Sequence, residues 1–309
     1  MQLAKTSHNT ENATLESSTL NWSVEKRPIF SPDDNGAMVK AKNHAMMVRV
    51  DTDSPLGVVG AKYEPVQNST LWEALCESLY DVDHTIENAG HLDDGKKVFI
   101  QAKVEDESFA IGGDKFNGLI TFWASHDGSI SIKLADTLER IWCSNTFNSS
   151  MHGNHKFNLT AKHTANVHFK LDGMMQALDE IFDHRRVLFA EVKRLAEMPC
   201  NTRTARNFAI GMLNSNKTRG LNMVGAIVSK FRHGIGNKGE TMYDLWNGFT
   251  EYYTHGSRDI ATEKQQNNLV KSSELGAGAR MKVNVFRNLI DTNRTAEMVR
   301  KGERILASL

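Results

Sequence analysis

The sequence predicts an α+β fold: an N-terminal, hairpin-rich sheet crossed by one helix, followed by a mainly helical C-terminal half with one long helix. Two observations carry this. Between about residue 20 and residue 150 the apolar residues recur with period two and are punctuated by Gly, Pro, Asp and Asn, as in strands joined by short turns. After about residue 163 they step by three and four, the period of a helix with one apolar face. The expected organisation is a disordered polar tail over 1–20, a β-rich α+β domain over 21–162, and a mainly helical region over 163–309.

The elements follow in order. AMMVRVD and LGVVGAKYEPV flank the turn-like Thr52-Asp53-Ser54-Pro55 and predict a hairpin. Thr70 and Glu73 have capping-box spacing, and Leu71, Trp72, Leu75, Leu79 and Tyr80 form a stripe, so a crossing helix starts there. KKVFIQAKV alternates as a strand. LITFWAS and SISIKLA are joined through His126-Asp127-Gly128, and Asp-Gly between alternating runs is a strong hairpin signal. Leu138, Ile141 and Trp142 suggest a short helix over 138–147. Leu171, Met174, Leu178, Ile181, Leu188, Val192 and Leu195 make one stripe that Pro199 must end, so a helix of about 30 residues would reach roughly 45 Å. Arg185 interrupts that stripe. Shorter helical patterns cover 203–213, 221–231, 241–254 and 281–307, separated by NSNKTRG, HGIGNKG and ELGAG.

Composition narrows the function classes. The net charge is zero, but residues 1–150 hold 13 Lys+Arg against 22 Asp+Glu, leaving 24 against 15 beyond them, or about −9 and +9. Such polarity suits a polyanion on the C-terminal half, or attraction between neighbouring subunits. Cys76, Cys143 and Cys200 are scattered and odd in number, which suggests neither a disulfide framework nor a zinc ribbon and fits a reducing cytoplasm. No apolar run approaches the roughly 18 residues that span a bilayer, so no membrane partner is expected.

Candidate chemistry is sparse. Gly234, Gly236 and Gly239 satisfy G-x-G-x-x-G, but a helical segment precedes them where a dinucleotide site needs a strand, and Lys238 is not followed by Ser or Thr. A flexible interhelical turn is the better reading. His152, His155, His163 and His168 lie close in sequence without a recognised metal spacing, and Asp51 with Asp53 starts a calcium-type loop that Pro55 breaks. No catalytic motif, cofactor or metal is expected. Basic residues are more suggestive: Arg185, Arg186, Lys193, Arg194, Arg203, Arg206, Lys217, Arg219, Lys230, Arg232 and Lys238 could form a backbone-tracking surface. Phe231, Tyr243, Trp246, Tyr252 and Tyr253 would be stacking platforms if exposed, although their helical spacing favours core.

Several segments together resemble a phage/plasmid-like family built on a domain of unknown function, over roughly residues 20 to 260. They are Trp22-Ser23-Val24-Glu25, Leu56 to Asn68, AGHLDDGKKVFI, SHDGS, RIWCSNTF from Arg140 to Phe147, Lys162-His163-Thr164, and Thr241 to His255. The resemblance implies a protein carried by phages, plasmids or integrated elements, and it brings no catalytic residues. The order of hairpin, crossing helix, hairpins and helices is also similar to phage single-strand annealing proteins of the Beta and RecT kind, an analogy of fold alone. The expectation is therefore a non-enzymatic, homo-oligomeric protein that binds single-stranded DNA in recombination or replication. Arg49, Lys62, Tyr63, Arg140, Lys162, His163 and Arg186 are the candidate contacts. Two alternatives stand beside it: a factor that binds a host protein and inhibits host defence or alters host machinery, and an unrecognised nucleic-acid enzyme.

Overall fold

The computed structural model describes residues 14–111, 114–140, 145–148, 160–175, 178–256 and 262–309. The fold is α+β, with antiparallel sheets first and helices after. The first sheet has the order β1-β2-β3, from Val24–Pro32, Met38–Arg49 and Ser54–Gly60. Its β2–β3 turn covers 50–53, two residues before the expected Thr52–Pro55, because Ser54 and Pro55 already pair with Arg49 and Val48; Asp53 is in the left-handed region at φ 55°. The second sheet runs β4-β5-β6-β7-β8, from His84–Leu92, Lys97–Ile111, Asp114–Ser125, Ile132–Arg140 and Asn145–Asn148, and β9 (Thr160–Ala161) also pairs with β7. The β6–β7 connection opens with the expected His126-Asp127-Gly128, Gly128 taking φ +72°, but it runs on to 131, so β7 starts at Ile132 rather than at Ser129.

Helix α1 (Asn68–Ser78) buries Leu71, Trp72 and Leu75. It starts two residues before Thr70, so the expected capping box does not form. Gln67 stands at the N-cap without a side-chain cap, because both Gln67 and Asn68 spend their amides on residues 20–24. Tyr80 lies past the helix end and is 86% exposed, so it is not part of the stripe. The short helix expected over 138–147 is absent where the backbone is described. Residues 138–140 continue β7 and 145–148 form β8, the ladder to β6 having carried the strand on.

The C-terminal half contains α2 (Val167–Met175), α3 (Leu178–Glu197), α4 (Thr202–Leu213), α5 (Thr218–His233), α6 (Met242–His255), α7 (Glu263–Val270), a π-helical turn (Lys271–Leu275), α8 (Ala277–Leu289) and α9 (Thr292–Ala307). The run 281–307 is two helices, because Asp291 caps α9 by accepting from the Asn293 and Arg294 N–H groups. No described helix is long and apolar enough to cross a membrane.

Two large apolar cores organise these elements. One joins Met47, Leu56, Val98, Ile120, Phe122 and Leu134 of the sheets to Leu71 and Leu75 of α1 and to Leu171, Leu178 and Ile181. The other joins Leu188, Val192 and Leu195 to Phe208, Ile227, Trp246, Phe249 and Phe286, together with Ile111 and Phe116 from the second sheet. The stripe of α3 leaves the first core after Ile181 and enters the second at Leu188. Arg185, which interrupted it in sequence, sits at the changeover, fully buried on Asp136 of β7. Leu20, within the expected tail, is also fully buried in the first core.

Candidate functional site

Five of the segments that carry the family resemblance meet where the two sheets approach each other. Gly57 lies against the β6–β7 turn so closely that a Cβ there would come 2.9 Å from the Asp127 Cβ. Tyr63, just past β3, donates its hydroxyl to the Ser125 carbonyl at 2.6 Å. Its ring stacks on His163 at 4.6 Å, and the Glu64 N–H donates to the His163 carbonyl. Trp22 packs edge-on against His126 at 5.4 Å, with the Arg49 guanidinium 4.3 Å above its ring. Gly95 (φ +100°) leaves room for Trp22, since a Cβ there would lie 3.0 Å from its Cη2.

The partners of the two histidines assign their tautomers. Asn68 donates its amide to the Leu20 and Trp22 carbonyls, which leaves its Oδ1 facing His126 Nε2 at 2.9 Å. His126 therefore carries its proton on Nε2. His163 Nδ1 faces the Glu64 carbonyl at 3.1 Å and carries the proton there. His126 Nδ1 and His163 Nε2 are thus bare acceptors, buried without a hydrogen-bonding partner among the described residues. Burial and then the neighbouring His163 push the His126 pKa down to about 3, and burial lowers that of His163. Both rings are neutral near pH 7 and offer no positive charge to a phosphate.

A pH dependence follows with a definite sign. The unfolded chain protonates these rings near the ordinary value of 6.5, whereas folded His126 does so only near 3. The histidine contribution to stability is therefore level above pH 6.5 and falls as the pH drops below it, by about 1.4 kcal/mol per pH unit for each proton bound only by the unfolded chain. Urea midpoints measured from pH 7 to pH 4 will show this slope, and His126→Gln will make it shallower, the His163 contribution remaining.

Of the other candidate contacts, Lys62 and Lys162 are exposed beside the Tyr63–His163 stack, while Tyr63 is half-buried and His163 buried. Arg49 is engaged by Asp51 through two hydrogen bonds of 2.7 and 2.9 Å as well as by Trp22. Arg186 is exposed on α3 near Asp183. The backbone of Arg140 ends β7, and its side chain lies outside the described residues, as do His152 and His155. His126 and Asn68 were missed as site residues, and the SHDGS segment was their signal.

The wider set of basic residues divides. Arg185 is buried on Asp136, Lys230 bonds Glu251 at 2.8 Å, and Arg194 bonds Glu191 at 2.7 Å. Phe231, Tyr243 and Trp246 are core residues and Tyr252 and Tyr253 pack against that core, so none is an open stacking platform. By contrast, residues 198–239 contain seven Lys/Arg and no Asp or Glu. They form the α4–α5 hairpin and the loop after it. Arg203, Arg206, Lys217, Arg219, Arg232 and Lys238 are exposed there, without a side-chain ion pair among the described residues. The glycine-rich loop wraps one of the chain's own anions: the Asp244 carboxylate accepts from the N–H groups of Lys238, Glu240 and Thr241. That carboxylate sits where a phosphate-binding loop would need its amides free.

No curated protein and no solved structure matches the chain. A family model described as Domain of unknown function (DUF932) matches residues 55–275, from the start of β3 to the end of the π-helical turn, well over half the sequence. It takes in Tyr63, Asn68, His126, His163 and the α4–α5 hairpin, and leaves out β1, β2, α8 and α9. The chain therefore belongs to the family of this domain of unknown function, DUF932.

Proposed function

We propose that the protein binds single-stranded nucleic acid without catalysing a reaction on it, assisting recombination or replication of a phage or plasmid. The observation that carries this reading is the acid-free, basic α4–α5 hairpin. Arg203 and Arg219 occupy the first turns of their helices and Lys217 an N-cap, where the helix dipole disfavours a cation. Six exposed cations without carboxylate partners among the described residues suit a row of phosphates. Lys62, Lys162 and Arg186 add exposed charge elsewhere, whereas Arg185, Arg194 and Lys230 are taken up by internal pairs.

The test is the salt dependence of binding to a labelled single-stranded oligonucleotide. Each phosphate contact contributes about 0.7 to the slope of log affinity against log salt for single strands. The variant R203A/R206A/K217A/R219A is expected to reduce that slope by up to about 3 while leaving the thermal midpoint near that of the wild type. An unchanged slope would refute the assignment of the hairpin.

A further inference from the structure

Strands β1 and β2 extend past the body of the protein as a two-stranded arm. Every residue from Phe30 to Lys40 is exposed, and so are Lys42 to His44. The tip is built: the Asp33 carboxylate accepts from the Asn35 and Ala37 N–H groups, the Asp33 N–H donates to the Ala37 carbonyl, and Gly36 takes φ +82°. A two-stranded ribbon gains little stability alone in water, so its exposed apolar residues do not serve the fold. Phe30 is 49% exposed and Met38 63%. Phe30 lies directly across from Lys40, and Pro32 from Met38, and such cross-strand partners share a face. Lys42, also exposed, lies in the irregular stretch of β2 between Lys40 and Ala45, where the register with β1 shifts. Among residues 28–50 the acids are Asp33, folded into the turn, and Asp34 at the tip.

We infer that this arm is a second contact surface for single-stranded nucleic acid, with Phe30 stacking on a base and Lys40 and Lys42 meeting the flanking phosphates. An open aromatic ring beside a lysine, with a second lysine nearby in the chain, suits an unpaired strand, because stacking tolerates any base and the lysines neutralise its backbone. The surface lies outside the residues matched by the family model. The inference rests on the nucleic-acid reading above.

The experiment measures the affinity of the full chain for a labelled oligothymidine at about 50 to 200 mM salt. Since base–aromatic stacking is worth about 1–3 kcal/mol per base, Phe30→Ala is expected to weaken binding by about 5- to 150-fold. Phe30→Trp should retain wild-type affinity, and K40A/K42A should lower the salt slope by about 1.4. Thermal midpoints should stay at the wild-type value, because these side chains are outside the cores. If the wild type binds but all arm variants bind equally well, the arm inference is overturned and the hairpin reading stands. Should Phe30→Ala instead shift the sedimentation of the protein with affinity unchanged, a second copy of the chain covers the arm, and the inference is again overturned. If the wild type does not bind, both readings fall together.

Discussion

Replacing Arg185 with methionine is expected to destabilise the protein by about 3–5 kcal/mol, the cost of removing one partner from a buried ion pair. Arg185 and Asp136 have side-chain exposures of 0% and 1%, and the Arg185 Nε donates to Asp136 Oδ1 at 2.9 Å. Without the guanidinium, the Asp136 carboxylate keeps its burial and loses its cation. The pair also ties α3 to the second sheet where the helix passes from one core to the other, so the damage reaches both. The double variant R185M/D136L removes the charge on each side, and apolar replacements of buried pairs are commonly neutral or stabilising. Its urea midpoint should return most of the way to the wild-type value. A single variant as stable as the wild type would mean that the pair is not the link between sheet and helix.

The second large effect is expected where α4 and α9 cross. A Cβ on Gly302 would lie 1.9 Å from the Asn207 carbonyl oxygen, and one on Gly211 2.1 Å from that of Met298. Both obstacles are backbone, so no side chain can swing aside. Gly211→Ala and Gly302→Ala should each cost about 3 kcal/mol or somewhat more, at the upper end of overpacking effects, despite the better helix propensity of alanine. Because each glycine meets the opposite helix at a different level of one crossing, the double variant should cost less than the sum, the first substitution having already forced the helices apart. Gly225, with nothing within 4 Å of its Cβ position, is the control: Gly225→Ala on α5 should be neutral or stabilising.

What the sequence disclosed was local. Gly128 and Asp53 mark their turns through positive-φ backbone conformations that glycine and aspartate adopt more cheaply than most residues, and the stripe from Leu171 to Leu195 specifies a face. Errors arose where a distant partner overrode a local signal. Asn68 began α1 early because the Leu20 and Trp22 carbonyls needed a donor. Residues 138–147 have helical spacing, but pairing with β6 makes 138–140 strand and pairing between β7 and β8 makes 145–147 strand. A 27-residue pattern over 281–307 hid the break that Asp291 caps.

The site was legible only in pieces. Tyr63 and His163 were singled out from separate segments, and their stacking across the sheet junction is a long-range contact that no spacing encodes. His126 was read as part of a turn, and its bond to Asn68 appears only in three dimensions. Arg185 looked like one of a basic row, whereas the acid that neutralises it lies 49 positions away. The hairpin of α4 and α5 contains no carboxylate, and of its basic residues Lys230 alone is drawn to an acid outside it, Glu251, among the described residues.

The direct test of the central claim is the binding of the purified chain to single-stranded oligonucleotides across about 50 to 200 mM salt. Steeply falling affinity, lost when Arg203, Arg206, Lys217 and Arg219 are replaced by alanine, is the expected result. Negligible binding throughout that range, or an affinity indifferent to salt, would contradict it.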